Sequence, residues 1–211
     1  MTTPEPDAPP PKLVVFDIGN VLLRFEPLHL YRDLLPAPAE AHPIWDQVDL
    51  HGMNAAGDLG RLQDAVAATA AAHPAYQDLI LPWFDQWERM IGPEIPGVAD
   101  ILHGVKAAGL PIAAFSNFSV DTFPRGKARF PILGAFDYEF ISGRVNLAKP
   151  DPAFYALLEA ETGCSGGDVF FVDDKAENIE AAARRGWRTC HFTGTAATLG
   201  AALSANGVRL D

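Results

Sequence analysis

Residues 12–23 read KLVVFDIGNVLL, and this stretch places one carboxylate, Asp17, at the end of an apolar run. The run VVF at 14–16 is typical of a strand buried on both faces, which indicates a parallel sheet covered by helices. Gly19 and Asn20 then break the run, and both residue types tolerate a tight turn that aims several N–H groups at one point. The stretch predicts an anion site beside Asp17; a strand that ends in a solvated turn is the alternative.

Length and composition indicate a globular protein with one domain, or one domain plus an insertion. The chain has 211 residues, of which 48% are hydrophobic and 20% charged, with a formal net charge of −11. This acidic balance argues against a nucleic-acid partner, because such a partner requires a basic face. No apolar run approaches the ~18 residues of a membrane-spanning helix. We therefore expect a cytoplasmic protein with no membrane partner, in which Cys164 and Cys190 are reduced.

The first half of the chain contains two segments of distinctive composition. Residues 1–11 are rich in proline, which blocks helix and strand alike, so we expect a disordered or extended leader. Residues 27–90 are rich in Ala, Leu, Asp and Gln, with Pro and Gly breaks that predict three or four helices and no strand. Because this helical segment lies between the first strand and the next clear strand, it is suited to form a separate lid.

Strand and helix signals alternate through the rest of the chain. Strands are predicted at 111–116, 168–172 and near 188–192, with a weaker one at Tyr138–Ile141. Helical patterns lie between them. The alternation predicts an α/β fold with a doubly wound, mostly parallel sheet, whose ligand site lies beyond the carboxyl ends of the strands.

Several polar residues lie at the ends of these predicted strands or in the loops that follow. Each has a structural alternative as a helix cap, a surface charge or a solvated turn. Their joint placement favours a site, since three neighbouring carboxylates repel one another unless a cation lies between them, and oxygen ligands favour Mg²⁺. A hydroxyl, backbone amides and a lysine beside that cation favour phosphate. The residues are Asp17, Ser116, Asn117, Lys149, Asp173 and Asp174.

Four short motifs, FDIGNVL, FSNFS, LAKPDP and VDDKAEN, occur in this order along the chain. In this set the sequence resembles the haloacid dehalogenase superfamily, and the resemblance covers nearly all of residues 12–192. The first and last motifs are similar to those of the sugar 1-phosphate phosphatase group and of the phosphatase half of soluble epoxide hydrolases. The resemblance implies a Rossmann-like core formed by residues 12–26 and 91–211, with a helical cap inserted at 27–90.

The resemblance also implies a nucleophile and a metal site. Asp17 would attack phosphorus and carry an aspartyl-phosphate that water then hydrolyses. Asp17, Asp174 and the backbone carbonyl of Gly19 would bind Mg²⁺, and Asp173 would bind it directly or through water. The expected cofactor is therefore Mg²⁺.

A phosphate site is implied in the same way. Ser116, the Asn117 amide and Lys149 would hold the phosphoryl group, and Asn178 would support Lys149. Arg24, soon after the first motif, is a candidate contact for the rest of the substrate, with a plain surface arginine as the alternative. The expected partner is a small phosphorylated metabolite, bound by a monomer or a homodimer.

One position departs from the phosphatase pattern of the superfamily. Most of its phosphatases have a second Asp two residues after the nucleophile as general acid and base, and here that residue is Gly19. The superfamily's dehalogenases also lack an acid there, but they work without Mg²⁺ and lack an acidic pair such as Asp173–Asp174. The sequence thus favours a phosphatase, and three hypotheses remain: a Mg²⁺-dependent phosphatase, a metal-independent 2-haloacid dehalogenase, or a catalytically silent binding protein.

The missing acid also suggests a substrate class. Without a proton donor at position 19, esters whose alcohol departs easily are favoured. A sugar 1-phosphate is such an ester, which agrees with the subgroup resemblance and is our best prediction for the substrate.

Overall fold

The structure is a computed structural model that describes residues 9–36 and 38–210. The predicted leader, residues 1–11, therefore lies outside the described residues except for positions 9–11. The described strands are β1 (Leu13–Phe16), β2 (Leu23–Phe25), β3 (Ile91–Glu94), β4 (Ile112–Ser116), β5 (Tyr138–Ile141), β6 (Val169–Asp173) and β7 (Arg188–His191).

Five of these strands form one parallel sheet in the spatial order β5, β4, β1, β6, β7. From β1 the chain moves to one side through β4 and β5, and then to the other side through β6 and β7. The order therefore switches between β1 and β6, where an open α/β sheet leaves a crevice at the carboxyl ends of its strands. The predicted doubly wound, mostly parallel α/β fold is confirmed.

Helices surround this sheet and connect its strands. They are α1 (Leu28–Leu34), α2 (Ile44–Gln47), α3 (Leu50–Asp58), α4 (Leu62–Ala72), α5 (Gln77–Ile80), α6 (Pro82–Asp85), α7 (Val98–Ala107), α8 (Phe123–Arg129), α9 (Ser142–Val145), α10 (Pro152–Thr162), α11 (Ala176–Arg184) and α12 (Ala196–Ala205). No described helix has both the length and the hydropathy needed to cross a membrane.

Strand β1 lies in the middle of the sheet, and every one of its residues is apolar and fully buried. Alternate side chains of a strand point to opposite faces. Val14 and Phe16 accordingly belong to a hydrophobic cluster with α7 and α12, whereas Leu13 and Val15 belong to a second cluster with α10 and α11. Burial on both faces fixes β1 in its register and so fixes Asp17 at its end.

The helical segment between β2 and β3 has no strand in its described residues, as predicted from its composition. It is more interrupted than predicted, because α2, α5 and α6 have only four residues each. Trp83 of α6 is fully buried in the hydrophobic cluster that also contains Val14 of the sheet. The boundaries predicted for a core and a cap stay predictions.

The pairing of β2 with β3 was not predicted from the sequence. These strands form a two-stranded antiparallel ribbon at the two ends of the helical segment. A three-residue strand is too short for its apolar pattern to be recognised. The ribbon brings the start and end of the helical segment together beside the carboxyl end of β1.

Candidate active site

Asp17 follows directly after β1, and one of its carboxyl oxygens is held by three donors. Oδ1 accepts hydrogen bonds from the Ile18 N–H at 2.7 Å and from the Ser116 hydroxyl at 2.7 Å, and it lies 3.0 Å from Lys149 Nζ. The side chain is largely buried, with Asp17 only 7% exposed. This geometry orients the carboxylate, so that Oδ2 is the oxygen available for another partner.

Lys149 bridges two buried carboxylates. Its Nζ lies 2.6 Å from Asp173 Oδ2 and 3.0 Å from Asp17 Oδ1. Asp173 is fully buried, and its two oxygens also accept hydrogen bonds from Asn178 Nδ2 and the Lys175 N–H. Burial works against the charge of Lys149, but the two carboxylates outweigh it and raise the pKa of that ammonium. Lys149 is therefore a fixed positive charge at neutral pH.

The loop that carries Lys149 is fastened to the loop after β4. Asn117 Nδ2 donates to the Lys149 carbonyl at 2.9 Å, and the Lys149 N–H donates to Asn117 Oδ1 at 2.8 Å. The side-chain amide of Asn117 thus both donates to and accepts from the backbone of one residue, as a neighbouring strand does in a sheet. The side chain of Asn117 thus positions Lys149, while Ser116 beside it contacts Asp17.

Asp174 extends the cluster towards solvent. Its Oδ2 accepts a hydrogen bond from Asn20 Nδ2 at 3.1 Å, and Asn20 Oδ1 accepts from the Phe25 N–H. Asn20 has a φ of 54°, a left-handed conformation that asparagine tolerates better than most residues. This turn aims the amide of Asn20 at Asp174.

Three carboxylates converge here: one oxygen each from Asp17, Asp173 and Asp174 lies within 4.8 Å of the other two. Burial is the main cause that raises the pKa of Asp17 to about 6; Lys149 lowers that pKa and Asp173 raises it. Burial also raises the pKa of Asp174, against the hydrogen bond from Asn20. Lys149 lies beside Asp17 and Asp173, and Lys175 also lowers the pKa of Asp174. Two ammonium groups do not compensate three carboxylates, so the cluster has the electrostatics of a cation site.

The cluster opens into a cavity of about 570 Å³ between the sheet and the helical segment. Gly19 and Arg24 line it, and Arg24 belongs to β2 of the ribbon and is exposed. His51, Asn54 and Asp58 of α3 line the opposite side. A second cavity of about 490 Å³ shares Phe25, Pro27 and His51 with the first. The site therefore has space for a small organic molecule beside the carboxylates.

The turn after α3 is joined to the sheet side of this cavity. The Val120 N–H donates to the Gly60 carbonyl at 2.9 Å, and the Ser142 hydroxyl donates to the Asp58 carbonyl. The carboxylate of Asp121 accepts the N–H groups of the first two residues of α4, each at 3.1 Å. These N–H groups have no partner inside the helix, so Asp121 caps α4 from outside the helical segment.

A family model of haloacid dehalogenase-like hydrolases matches residues 11–186, which is most of the chain. The chain is a haloacid dehalogenase-like hydrolase. The membership predicted from the four motifs is confirmed, whereas the subgroup related to sugar 1-phosphate phosphatases stays a prediction.

Curated relatives of this hydrolase have two different activities. It is 33% identical over 92 residues to an (S)-2-haloacid dehalogenase of Pseudomonas fluorescens, covering 44% of this chain and 40% of that protein. It is 29% identical over 101 residues to the sesquiterpene phosphatase astK of Aspergillus oryzae, covering 48% of this chain and 52% of that protein. The chain thus spans about half the length of the curated relatives it matches.

Solved structures share the fold of this hydrolase. A haloacid dehalogenase-family enzyme of Bacteroides thetaiotaomicron, solved with magnesium and inorganic phosphate, superposes with a TM-score of 0.63. The match covers 85% of this chain and 93% of that one, at 16% identity. At this identity the likeness shows the fold alone.

The structure brings most of the sequence-predicted site residues together around Asp17. Both oxygens of Asp173 already accept hydrogen bonds, which suits a residue that holds Lys149 better than a direct metal ligand. Gly19 and Arg24 lie at the cavity, and their predicted roles stay predictions, as do the catalytic and metal-binding roles of the others. The predicted residues that meet here are Asp17, Ser116, Asn117, Lys149, Asp173, Asp174 and Asn178.

Sequence reasoning missed Asn20 as a partner of Asp174 and Asp58 as a carboxylate of the cavity. The sequence predicts Asn20 only as a turn residue, although its amide is a signal that it can hold a neighbouring group. Asp58 gave no signal, because it is one of several acidic residues in a helical segment and only the tertiary fold brings it to the cavity.

Proposed function

We propose that this hydrolase is a Mg²⁺-dependent phosphatase that hydrolyses a small phosphorylated metabolite through an aspartyl-phosphate on Asp17. The observation that carries the proposal is the convergence of three carboxylates around one buried lysine. Phosphoryl transfer requires a nucleophile and positive charge close to it. Here Asp17 is the nucleophilic carboxylate, Lys149 supplies one positive charge, and the carboxylate cluster can bind a metal cation.

The residues present fit a hard divalent cation. Oxygen ligands suit Mg²⁺, and the burial that raises the pKa values of Asp17 and Asp174 makes their negative charges costly unless a cation binds beside them. Asp17 Oδ2 and the Asp174 carboxylate would hold the ion, with Asp173 engaged by Lys149. The ion, when bound, would neutralise negative charge on the phosphoryl oxygens.

Protein groups orient the nucleophile and attract the substrate. Ser116, Lys149 and the Ile18 N–H hold Asp17 Oδ1, so the carboxylate is oriented before substrate arrives. Preorganised contacts of this kind lower the entropic cost of reaching an attack geometry. Lys149 also supplies a positive charge beside the nucleophile, where it attracts an anionic substrate into an acidic protein.

Dehalogenation is the second candidate, and the relative from Pseudomonas fluorescens favours it. Both chemistries begin with attack by a carboxylate, so Asp17 serves either one. What separates them is the second acidic residue, because the pair Asp173–Asp174 leaves unbalanced charge unless a cation binds. This supports the phosphatase, and the astK relative is consistent with it.

The test compares both reactions in one preparation. We expect Mg²⁺-dependent release of phosphate from 4-nitrophenyl phosphate and from members of a metabolite panel, abolished by EDTA. Chloride release from 2-chloropropionate serves as the competing assay. Chloride release that persists in EDTA, without phosphate release, would refute the phosphatase. The sugar 1-phosphate stays a prediction that the panel checks through glucose 1-phosphate against glucose 6-phosphate.

A further inference from the structure

Asp58 is an acidic residue that the helical segment contributes to the cavity of the nucleophile. It is the last residue of α3 and lines the same cavity as Asp17, Lys149 and Asp174. The proposed chemistry assigns it no role. The same cavity lacks an acid at Gly19, where phosphatases of this superfamily usually have one.

The carboxyl group of Asp58 is oriented by a chain of hydrogen bonds. Trp83 Nε1 donates to Asn54 Oδ1 at 3.0 Å, and Asn54 Nδ2 donates to Asp58 Oδ2 at 3.0 Å. An indole N–H can only donate, so Trp83 determines which end of the Asn54 amide faces Asp58. Oδ1 of Asp58 makes no hydrogen bond with any residue that the structure describes, so it is the oxygen that can exchange a proton with a ligand.

The backbone of Asp58 is fixed relative to the nucleophile. Its carbonyl accepts from the Ser142 hydroxyl, and two residues later the Gly60 carbonyl accepts from the Val120 N–H. Ser142 and Val120 both follow strands of the sheet that also carries Asp17. A catalytic acid needs this kind of fixed placement.

The surroundings of Asp58 favour its protonated form. Burial raises the pKa of this carboxyl well above its usual range, with the charge of Asp17 adding and with Lys175 and Asn54 opposing. A carboxyl group whose protonated form is favoured in this way can act as a proton donor. The charged or titratable groups that line the cavity around it are Asp17, Arg24, His51, Lys149, Asp174 and Lys175.

We propose that Asp58 is the general acid and base of this hydrolase, in place of the acid that position 19 lacks. The role rests on the proposed phosphatase function. As an Asp17 oxygen bonds to phosphorus and the bond from phosphorus to the ester oxygen breaks, the Asp58 carboxyl gives its proton to that oxygen and an alcohol leaves. Water then attacks the aspartyl-phosphate, its proton goes to the Asp58 carboxylate, and Asp17 and inorganic phosphate are released.

This role changes the expected substrate range. The predicted preference for a sugar 1-phosphate depends on the absence of a proton donor. With Asp58 as donor, esters of ordinary alcohols become substrates as well. The dependence of rate on the leaving group is therefore the quantity to measure.

The experiment is Asp58→Asn. The new amide oxygen can still accept the hydrogen bond from Asn54, but the side chain no longer has an acidic proton to donate. For an alkyl phosphate we expect kcat/KM to fall by about 10²–10⁴-fold. For 4-nitrophenyl phosphate, whose phenolate leaves without a proton, kcat/KM should change by less than about tenfold. Hydrolysis of the intermediate should become slow, so rapid mixing should show a burst of about one nitrophenolate per active site, as expected of a trapped covalent intermediate.

Two further variants sharpen the result. Asp64→Asn is the matched control, because Asp64 is an exposed acid of α4 and should leave both esters unaffected. A Cβ at Gly19 would meet nothing within 4 Å, so Gly19→Asp is sterically tolerated. In the Asp58→Asn background it should recover at least about tenfold in kcat/KM for the alkyl ester.

The outcomes distinguish a wrong role for Asp58 from a wrong proposed function. Equal losses for both esters, without a burst, would assign Asp58 a binding or structural role and overturn the proposal. Retention of alkyl phosphatase activity in Asp58→Asn would overturn it as well. A wild type without any phosphatase activity would refute the proposed function itself, and the role of Asp58 with it.

Discussion

Replacing Lys149 with methionine tests the electrostatic design of the site through stability, independently of any substrate. Met has a similar length but no charge, so Lys149→Met leaves the two carboxylates that flank Nζ without their counter-ion. Lys149 is 5% exposed and Asp173 fully buried, so water cannot replace the lost partner. Removing one member of a buried ion pair costs about 3–5 kcal/mol.

The expected loss of stability is large enough to be measured as a shift in Tm. For a domain of this size, 1 kcal/mol corresponds to a shift in Tm of about 2–4 °C, so Tm should fall by about 6–20 °C. The measurement is circular dichroism at pH 8 in EDTA, which keeps divalent cations out of the comparison. Lys12→Met is the control, because Lys12 pairs with Asp168 at an exposed position where an ion pair contributes at most about 1 kcal/mol.

The pH dependence of the loss has a defined sign. A carboxyl whose pKa is higher in the folded than in the unfolded chain destabilises the fold as the pH rises through the folded value. Lys149 lowers the pKa of Asp17, which is already about 6, so the variant should have a still higher value. The deficit should therefore be larger at pH 8 than at pH 5.

A double variant distinguishes loss of charge compensation from simple misfit of methionine. Adding Asp173→Asn to Lys149→Met removes one uncompensated charge and should recover part of the lost stability. A fall of less than about 2 °C for Lys149→Met, below the shift expected for even 1 kcal/mol, would refute the assignment of Lys149 as the counter-ion. A deficit equal at both pH values would do the same.

Substitutions at Asp17, Asp174 and Asp121 test the nucleophile, the metal site and the helix cap. Asp17→Asn should abolish turnover while near-ultraviolet circular dichroism stays native; substantial residual activity would rule out the covalent mechanism. Asp174→Ala should abolish Mg²⁺ binding in titration calorimetry, whereas unchanged affinity would remove Asp174 from the ligand set. Asp121→Ala should lower the free energy of unfolding by about 0.5–2 kcal/mol, since it uncaps α4; urea denaturation measures it, and no change would show that water replaces the cap.

The sheet could be predicted from sequence because its strands carry their own signal. The residues LVVF of β1 and VFFV of β6 are all apolar, and Asp17 and Asp173 come directly after these two runs, which indicates the end of a strand. The β2–β3 ribbon had no such signal, because its strands are short and their partners lie far apart in sequence. Their pairing depends on the folded helical segment between them.

The candidate site also contains residues that the sequence predicts and residues that only the fold brings together. Asp17, Lys149 and Asp174 were found because they occupy strand ends and loops that a parallel sheet gathers at one edge. The hydrogen bonds of Asn117 and Asp173 to the Lys149 network, and the approach of Asp58, come from loop and helix placement that no local pattern encodes. Residues whose role depends on a distant element are visible only in three dimensions.

The cap that Asp121 provides to α4 has a consequence for protein engineering. The helical segment does not carry all the groups that complete its own helices, since one of its N-termini depends on a loop after β4. A Cβ at Gly143 would come within 3.0 Å of Val120, Gly60 and Phe118 backbone atoms, so the same junction also requires a glycine. A chimera that grafts residues 27–90 onto a related sheet should therefore keep Asp121 and Gly143 in the recipient. Without Asp121, α4 would begin with unsatisfied N–H groups, and a larger residue at 143 would clash with the Gly60 backbone.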